Sequence, residues 1–157
     1  MKWITELFAR RRYLTLDEAI NDFVASPAQW FSYRGDPYIW PQCPPGMEGD
    51  IYFDNIRVLV DGHGFAFVEG LYIRGRTAFI GHIAVDERVM RRGIGTALVH
   101  GLSLELADLY GVNRVVFAEN HAKFHEMGYS EFFAHIGAQP LAVDHPGQLQ
   151  DRPDYEW

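Results

Sequence analysis

A short loop rich in arginine and glycine carries the clearest chemical signal in the sequence. It reads Arg91-Arg92-Gly93-Ile94-Gly95-Thr96 and lies between a predicted strand and a predicted long helix. The N-terminus of a helix exposes unpaired backbone N–H groups and the positive end of the helix dipole. Glycines at 93 and 95 let the backbone approach an anion, while the arginines add charge and Thr96 adds a hydroxyl. This pattern predicts a binding site for phosphate or pyrophosphate.

Two other phosphate-binding loops fit the residues less well. A P-loop carries a lysine directly after its last glycine, and no lysine follows Gly93 or Gly95. A dinucleotide-binding fingerprint has a third glycine where this chain has Leu98, and it belongs to an early βαβ unit. Because Gly-x-Gly alone is also typical of a plain tight turn, the prediction depends on the order of strand, loop and helix.

The elements around the loop can be predicted from hydrophobic periodicity. Three runs rich in Val, Ile, Phe and Tyr, at 51–60, 65–73 and 77–85, are separated by short glycine-containing turns and predict an antiparallel meander. After the loop, apolar residues recur at steps of three and four, which predicts a helix of about four turns ending near Gly111. The residues of this stripe are Ile94, Leu98, Leu102, Leu106 and Leu109.

The segments before and after this centre are less regular. Thr15-Leu16-Asp17-Glu18 has the pattern of a capping box, so a helix is predicted from there to Ser26-Pro27. Prolines and glycines make 34–49 a long irregular loop, whose aromatic residues either line a substrate pocket or close one end of the core.

Downstream of the long helix, shorter apolar segments predict the remaining elements. A short strand is predicted at 115–118 and a second helix at 119–127. Phe132, Phe133 and Ile136 suggest one more strand.

Size, charge and cysteine content restrict the class of protein. With 157 residues we expect a single domain over 1–143, followed by a mobile tail over 144–157 that is rich in proline, glycine and charge. A net charge of −7 argues against nucleic-acid binding. Cys43 is the only cysteine, which excludes a disulfide framework and a multi-cysteine zinc site. Apolar runs are far shorter than the roughly 20 residues that cross a bilayer, so we expect a cytoplasmic protein that does not bind membranes.

Two blocks of the sequence resemble the GNAT superfamily of acetyl-coenzyme A-dependent N-acetyltransferases. Residues 83–98 are similar to the family's strand, pyrophosphate loop and helix, and 118–129, read as Ala-Glu-Asn-His-Ala-Lys-Phe-His-Glu-Met-Gly-Tyr, to its asparagine and Gly-aromatic segment. The resemblance covers roughly 50–136. It implies an α+β fold with a mixed, mostly antiparallel central sheet flanked by helices.

The resemblance also implies which residues bind acetyl-coenzyme A. The backbone of Ile83 and Val85 would pair with the pantetheine arm, and the backbone N–H near Val85 would stabilise the developing oxyanion. Asn120 would hydrogen-bond the cofactor arm, although asparagine is also a common helix N-cap, and Phe124 would pack near it. The residues that would hold the pyrophosphate are Arg91, Arg92, Gly93, Ile94, Gly95 and Thr96.

The chain departs from the family pattern at two positions. Met90 stands where the family usually has Arg or Gln, and Phe124 stands where a tyrosine often protonates the leaving thiolate. Phenylalanine has no proton to donate. His125 is therefore the candidate acid, because imidazole titrates near neutral pH, and Glu119 is the candidate base. Both also suit ordinary exposed helix positions.

Three histidines are candidate site residues. His82 precedes the loop, but strand alternation predicts that Phe79 and Gly81 face the substrate while His82 faces away, unless a bulge intervenes. His121 and His125 have the spacing of a metal pair, yet no third ligand is identifiable, so no metal site is predicted.

The expected function is acetyl transfer from acetyl-coenzyme A to a primary amine, by direct attack within a ternary complex. The acceptor would be a small-molecule amine or a protein amine, and a homodimer is compatible with the resemblance. The alternatives are a catalytically inactive protein of the same fold that binds coenzyme A, and an adaptor or inhibitor that binds only a protein partner.

Overall fold

A computed structural model describes residues 15–60, 63–117, 129–140 and 155–156. Three helices of this part are α1 (Leu16–Ala25), α2 (Ile94–Tyr110) and α3 (Tyr129–His135). The strands are β1 (Phe31–Tyr33), β2 (Tyr38–Ile39), β3 (Ile51–Tyr52), β4 (Asn55–Val60), β5 (His63–Arg74), β6 (Thr77–Val85), β7 (Arg114–Phe117), β8 (Gln139–Pro140) and β9 (Tyr155–Glu156).

The strands form one mixed sheet. Its order is β1-β4-β5-β6-β7-β9-β8, and the β2–β3 ribbon joins it through the pairing of β3 with β5. Every described pairing is antiparallel except that of β6 with β7, which is parallel. A parallel pair needs a long crossover, and α2 provides it. The predicted fold of a mostly antiparallel sheet with flanking helices is confirmed.

Helix α1 begins at the predicted capping box. The Thr15 hydroxyl accepts a hydrogen bond from the Glu18 N–H at 3.2 Å, and the Glu18 carboxylate accepts one from the Thr15 N–H at 2.9 Å. Ala19, Ile20 and Phe23 turn into the core at helical spacing. Capping and periodicity therefore agree on the same helix.

Helix α2 follows the prediction closely, with one exception. Gly93 and Gly111 flank it, both in the left-handed conformation, and Leu98, Leu102 and Leu106 are fully buried. Leu109, predicted to share their stripe, is exposed, and Tyr110 packs against the core in its place.

Some strand boundaries differ from those of the predicted runs. The run 51–60 divides into β3 and β4 at Phe53 and Asp54. The loop over 34–49 is irregular as predicted, apart from β2, which pairs with β3. The meander of β4, β5 and β6 is confirmed.

The predicted strand at Phe132, Phe133 and Ile136 is wrong, because this segment is helix α3 and the turn after it. These three residues are spaced one, three and four residues apart, and this spacing also fits one face of a helix. Phe133 is buried and stacks on Phe117 with 4.9 Å between ring centroids, so packing against β7 selects the helix.

The C-terminal segment also differs from expectation at its last described residues. Tyr155 and Glu156 were expected in a mobile tail, but they form β9, antiparallel to β7. The edge of β7 would otherwise present unpaired backbone groups. Residues 144–154 and the helix predicted at 119–127 lie outside the described residues.

The two faces of the sheet have different characters. We call the face covered by α1 and α2 the inner face, and the opposite one the outer face. Inner-face residues form the buried core, namely Ile56, Val58, Val68, Leu71, Ile73, Ala78, Ile80, Val115 and Phe117. Half-buried aromatic and polar side chains such as Tyr72, Phe79 and Glu69 alternate with them and lie on the outer face.

Candidate functional site

The loop between β6 and α2 begins with a tight, charged turn. The Asp86 carboxylate accepts hydrogen bonds from the Arg88 N–H at 2.9 Å and from its guanidinium at 2.8 and 3.0 Å. These side-chain and backbone hydrogen bonds lower the pKa of Asp86 to about 2. Asp86 therefore stays ionised, and the turn Glu87–Val89 keeps its cap, at any pH well above 2.

The backbone of the loop contains two left-handed residues just before α2. Arg91 has φ of 62° and Gly93 has φ of 82°, so left-handed residues alternate with Arg92 ahead of α2. Successive amides in such alternating conformations form a nest that favours anions. Gly93 is the N-cap of α2 and provides no capping side chain, and the first turn contains no acidic residue. The left-handed conformation of Arg91 was not predictable from its residue type.

The two adjacent arginines have different surroundings. Arg92 forms an ion pair with Asp17 of α1, with 2.8 Å between Nη1 and Oδ1. Arg91 is exposed and makes no ion pair with any described residue. Arg91 is therefore the more available cation for a ligand, and Asp17 competes for Arg92.

The remaining loop residues, at 94–96, differ in what surrounds them. The Ile94 side chain is buried in the core, whereas Thr96 is exposed. A Cβ at Gly95 would lie 3.1 Å from Phe132 Cε2 and 3.6 Å from Val85 Cγ2. Gly95 thus permits α3 to pack beside the start of α2. Sequence reasoning missed this contact, because the segment around Phe132 was expected to be a strand.

The edge of β6 beside this loop presents backbone groups. The Asp86 N–H donates to the Phe65 C=O at 2.7 Å, so Asp86 points toward β5. Backbone groups of successive strand residues point to opposite edges, which directs Ile83 and Val85 away from β5 and toward β7. The described pairing of β6 with β7 ends at Ile80 and Phe117, while β6 continues over 81–85. This geometry suits an extended polar ligand arm lying along β6.

The outer face of β6 contradicts the expectation for His82. The buried cross-strand pairs are Leu71–Ile80 and then Val68–Ile83, which are three residues apart instead of two or four. The alternation of side chains between the two faces therefore shifts by one residue in both strands, at Gly70 and Gly81. Gly70 has φ of 62°, which side chains rarely adopt. His82 consequently shares the outer face with Phe79, and its ring lies 5.1 Å from that of Phe67. Simple alternation failed because two facing glycines allow this irregularity.

Four predicted site residues cannot be placed. Glu119, Asn120, Phe124 and His125 all lie outside the described residues. Their roles stay predictions from the sequence.

The described ranges offer neither a metal site nor a membrane-spanning helix. Between Thr15 and Glu156, these ranges contain no group of three His, Cys, Asp or Glu side chains that could hold a metal ion. None of the helices described is both long and apolar enough to cross a membrane.

Comparison with known proteins gives a family and a fold. The model of the acetyltransferase (GNAT) family matches residues 18–129. A protein assigned as an acyl-CoA N-acyltransferase from Klebsiella pneumoniae has a TM-score of 0.55 at 13% identity, over 73% of this chain and 74% of that chain. A protein from E. coli assigned as the N-acetyl transferase YhhK, bound to coenzyme A, has a TM-score of 0.50 at 18% identity, over 75% of this chain and 81% of that chain.

A third structure, the paia N-acetyltransferase from Thermoplasma acidophilum in complex with coenzyme A, has a TM-score of 0.49 at 15% identity. It is matched over 65% of this chain, which spans 58% of the length of that protein. The fold is shown by the similarity to the first two structures, at identities of 13% and 18%. No curated protein sequence matches the chain.

Proposed function

Since the chain belongs to the acetyltransferase (GNAT) family, we propose that it moves an acetyl group from acetyl-coenzyme A to a primary amine by direct attack in a ternary complex. The observation that supports this most is the junction of β6 and α2. There an edge of backbone groups at Ile83 and Val85 leads into the left-handed loop at Arg91 and Gly93. One ligand with a polar arm and a pyrophosphate would use both features.

The residues of this junction fit the parts of acetyl-coenzyme A. Ile83 and Val85 would pair through their backbones with the pantetheine arm, and residues 91–96 would hold the pyrophosphate. Asn120 and Phe124 would contact the arm, by resemblance. When bound, acetyl-coenzyme A supplies the activated thioester. The protein then needs to position the amine, remove its proton and stabilise negative charge, without a covalent nucleophile.

The acid and base of the reaction are proposed from the sequence. His125 would protonate the leaving thiolate in place of the tyrosine that Phe124 replaces, and Glu119 would accept a proton from the amine, directly or through water.

The activity can be tested by following free thiol release from acetyl-coenzyme A in the presence of pools of primary amines. We expect release above background with at least one pool. Arg91→Glu should lower this release strongly, because it puts a negative charge in the anion site. Arg76→Glu, at the opposite end of β6, is the matched control. Absence of release with every small-molecule and peptide pool would contradict the proposal.

A second candidate follows from Met90 and Phe124, which remove a polar loop residue and a proton donor. It is a protein of the same fold that binds coenzyme A without catalysis. Binding of acetyl-coenzyme A without thiol release would favour it, and absence of binding would favour an adaptor or inhibitor that recognises a protein partner.

A further inference from the structure

A polar row crosses three strands on the outer face. Asn55 of β4 is the register partner of Glu69 of β5, which is the partner of His82 of β6. Ile56 beside Asn55 is buried on the inner face, so strand alternation places Asn55 on the outer face with the other two. The Glu69 side chain is 49% exposed and that of His82 is 19% exposed. The row therefore runs from a buried amide to a half-exposed carboxylate and a partly buried imidazole.

The atoms of this row suit an ammonium group. His82 Nδ1 and Glu69 Oε2 are 3.8 Å apart, too far for a direct hydrogen bond. A single nitrogen can lie within about 3 Å of both atoms, and an ammonium has three donors to offer. Asn55 Oδ1 is buried and accepts no hydrogen bond from the part of the chain that the structure describes. Such a buried acceptor is costly unless a donor reaches it.

An aromatic surface lies next to the row. Tyr72 and Phe79 stack across β5 and β6 with 4.8 Å between centroids and 10° between planes. Tyr52 stacks on Tyr72 at 5.6 Å. We call these three residues the aromatic shelf. Between the pair Tyr72–Phe79 and the pair Glu69–His82 lie the pair Leu71–Ile80, which is buried on the inner face, and the two glycines 70 and 81. No side chain on the outer face therefore separates the shelf from the row.

We propose that the outer face is the acceptor site, and that the acceptor is a primary ammonium carried on an aromatic or flat apolar group. The apolar group lies on the aromatic shelf, where rings gain from stacking and from contact with a cation. Glu69 binds the ammonium, and His82 accepts its proton, in the role that the sequence alone gives to Glu119. The site is next to residues 81–85 of β6, the segment that contains Ile83 and Val85, which are proposed to pair with the pantetheine arm. The inference rests on the proposed function and deepens it.

The proton and electron balance of the step is simple. One proton passes from the ammonium to His82 Nδ1, and the freed lone pair attacks the thioester carbonyl carbon. A C–N bond forms and the C–S bond breaks, with its electron pair leaving on sulfur. The sulfur takes the second proton lost by the nitrogen, directly or through the acid proposed above, so the products are an amide, a thiol and a protonated His82, which returns its proton to water.

Binding can be tested without turnover, with coenzyme A present to fill the donor site. The probes are phenethylammonium, which carries both a ring and a cation, n-butylammonium, which carries only the cation, and 2-phenylethanol, which carries only the ring. Saturation-transfer NMR and isothermal titration should show phenethylammonium binding at least about tenfold tighter than either partial probe. Equal binding of n-butylammonium, or no binding of phenethylammonium, would overturn the inference.

Variants then separate the roles of the two residues. Glu69→Gln should weaken phenethylammonium binding about tenfold to a hundredfold, the factor that corresponds to a hydrogen bond with a charged group. Asp108→Asn, an exposed carboxylate on α2, is the matched control and should bind normally. Unchanged binding by Glu69→Gln, with its fold intact by circular dichroism, would contradict the assignment.

His82→Gln should leave phenethylammonium binding within a few-fold and lower kcat for its acetylation about a hundredfold, as expected for loss of a general base. An unchanged kcat would remove His82 from the reaction. If acetyl-coenzyme A supports no turnover with any amine, the proposed function fails, but the binding comparison between Glu69→Gln and the intact protein still decides the acceptor site.

Discussion

The loop between β6 and α2, which we call the anion loop, has two adjacent arginines that differ because of one carboxylate. Arg92 is held by Asp17 at 2.8 Å, whereas Arg91 extends into solvent from a left-handed backbone. The ion pair fixes the loop against α1, and it also neutralises a charge that a pyrophosphate would use. Sequence alone shows two equivalent arginines. Their difference depends on a contact between residues 75 positions apart, which no local pattern encodes.

Replacing Asp17 by Asn should therefore tighten the binding of acetyl-coenzyme A. We expect a gain of up to about fivefold, because exposed ion pairs are typically worth up to about 1 kcal/mol and Arg92 becomes available to phosphate. Isothermal titration at low salt measures the change. Asp36→Asn, which removes an exposed carboxylate from the long loop, controls for net charge. Weaker binding by Asp17→Asn would show that the ion pair positions the loop instead of competing with the ligand.

At the scale of elements, the position of α2 depends on one glycine contact. A Cβ at Gly101 would lie 2.4 Å from Pro27 Cγ and 2.8 Å from Pro27 Cβ, so the backbone of α2 packs directly on the Pro27 ring. The Trp30 indole N–H donates to Asp22 at 2.9 Å and fixes this turn to α1. The N-terminal segment, through Pro27 and α1, thus packs against the helix that begins at the anion loop.

Gly101→Ala should lower the free energy of unfolding by about 1–3 kcal/mol, the usual cost of overpacking. Alanine favours helices by about 1 kcal/mol over glycine, but the rigid proline ring cannot yield to a contact of this length. Thermal and urea denaturation measure the effect. Ala107→Gly, at an exposed position of the same helix, isolates the propensity term. A Gly101→Ala protein as stable as the parent would show that α2 can move away from Pro27.

The elements differ in how well the sequence predicts them. Helices α1 and α2 were predictable because the Thr15–Glu18 capping box, the leucine spacing and Gly111 act locally. Helix α3 was not, since its short apolar segment fits a strand as well as a helix and packing on Phe117 decides between them. The shift in side-chain alternation at Gly70 and Gly81 was also missed, because only the pairing of the two strands shows that these glycines face each other.

For the whole molecule, three features converge at one end of β6. Its edge offers the backbone of Ile83 and Val85, the following loop offers N–H groups and Arg91, and its outer face carries His82 beside Glu69. The anion loop was predictable from residue types, because its glycines and arginines are consecutive in the sequence and each favours anion binding by itself. The outer-face row was not, because its members come from three strands.

The most direct test of this account is isothermal titration of the protein with acetyl-coenzyme A, beside the Arg91→Glu and Arg76→Glu variants. We predict micromolar binding by the intact protein, weakened at least about tenfold by Arg91→Glu because a charge-assisted contact is replaced by repulsion. Arg76→Glu should bind as the parent does. Absence of binding by the intact protein, or equal binding by both variants, would contradict the assignment of the loop between β6 and α2 as the site of the acetyl donor.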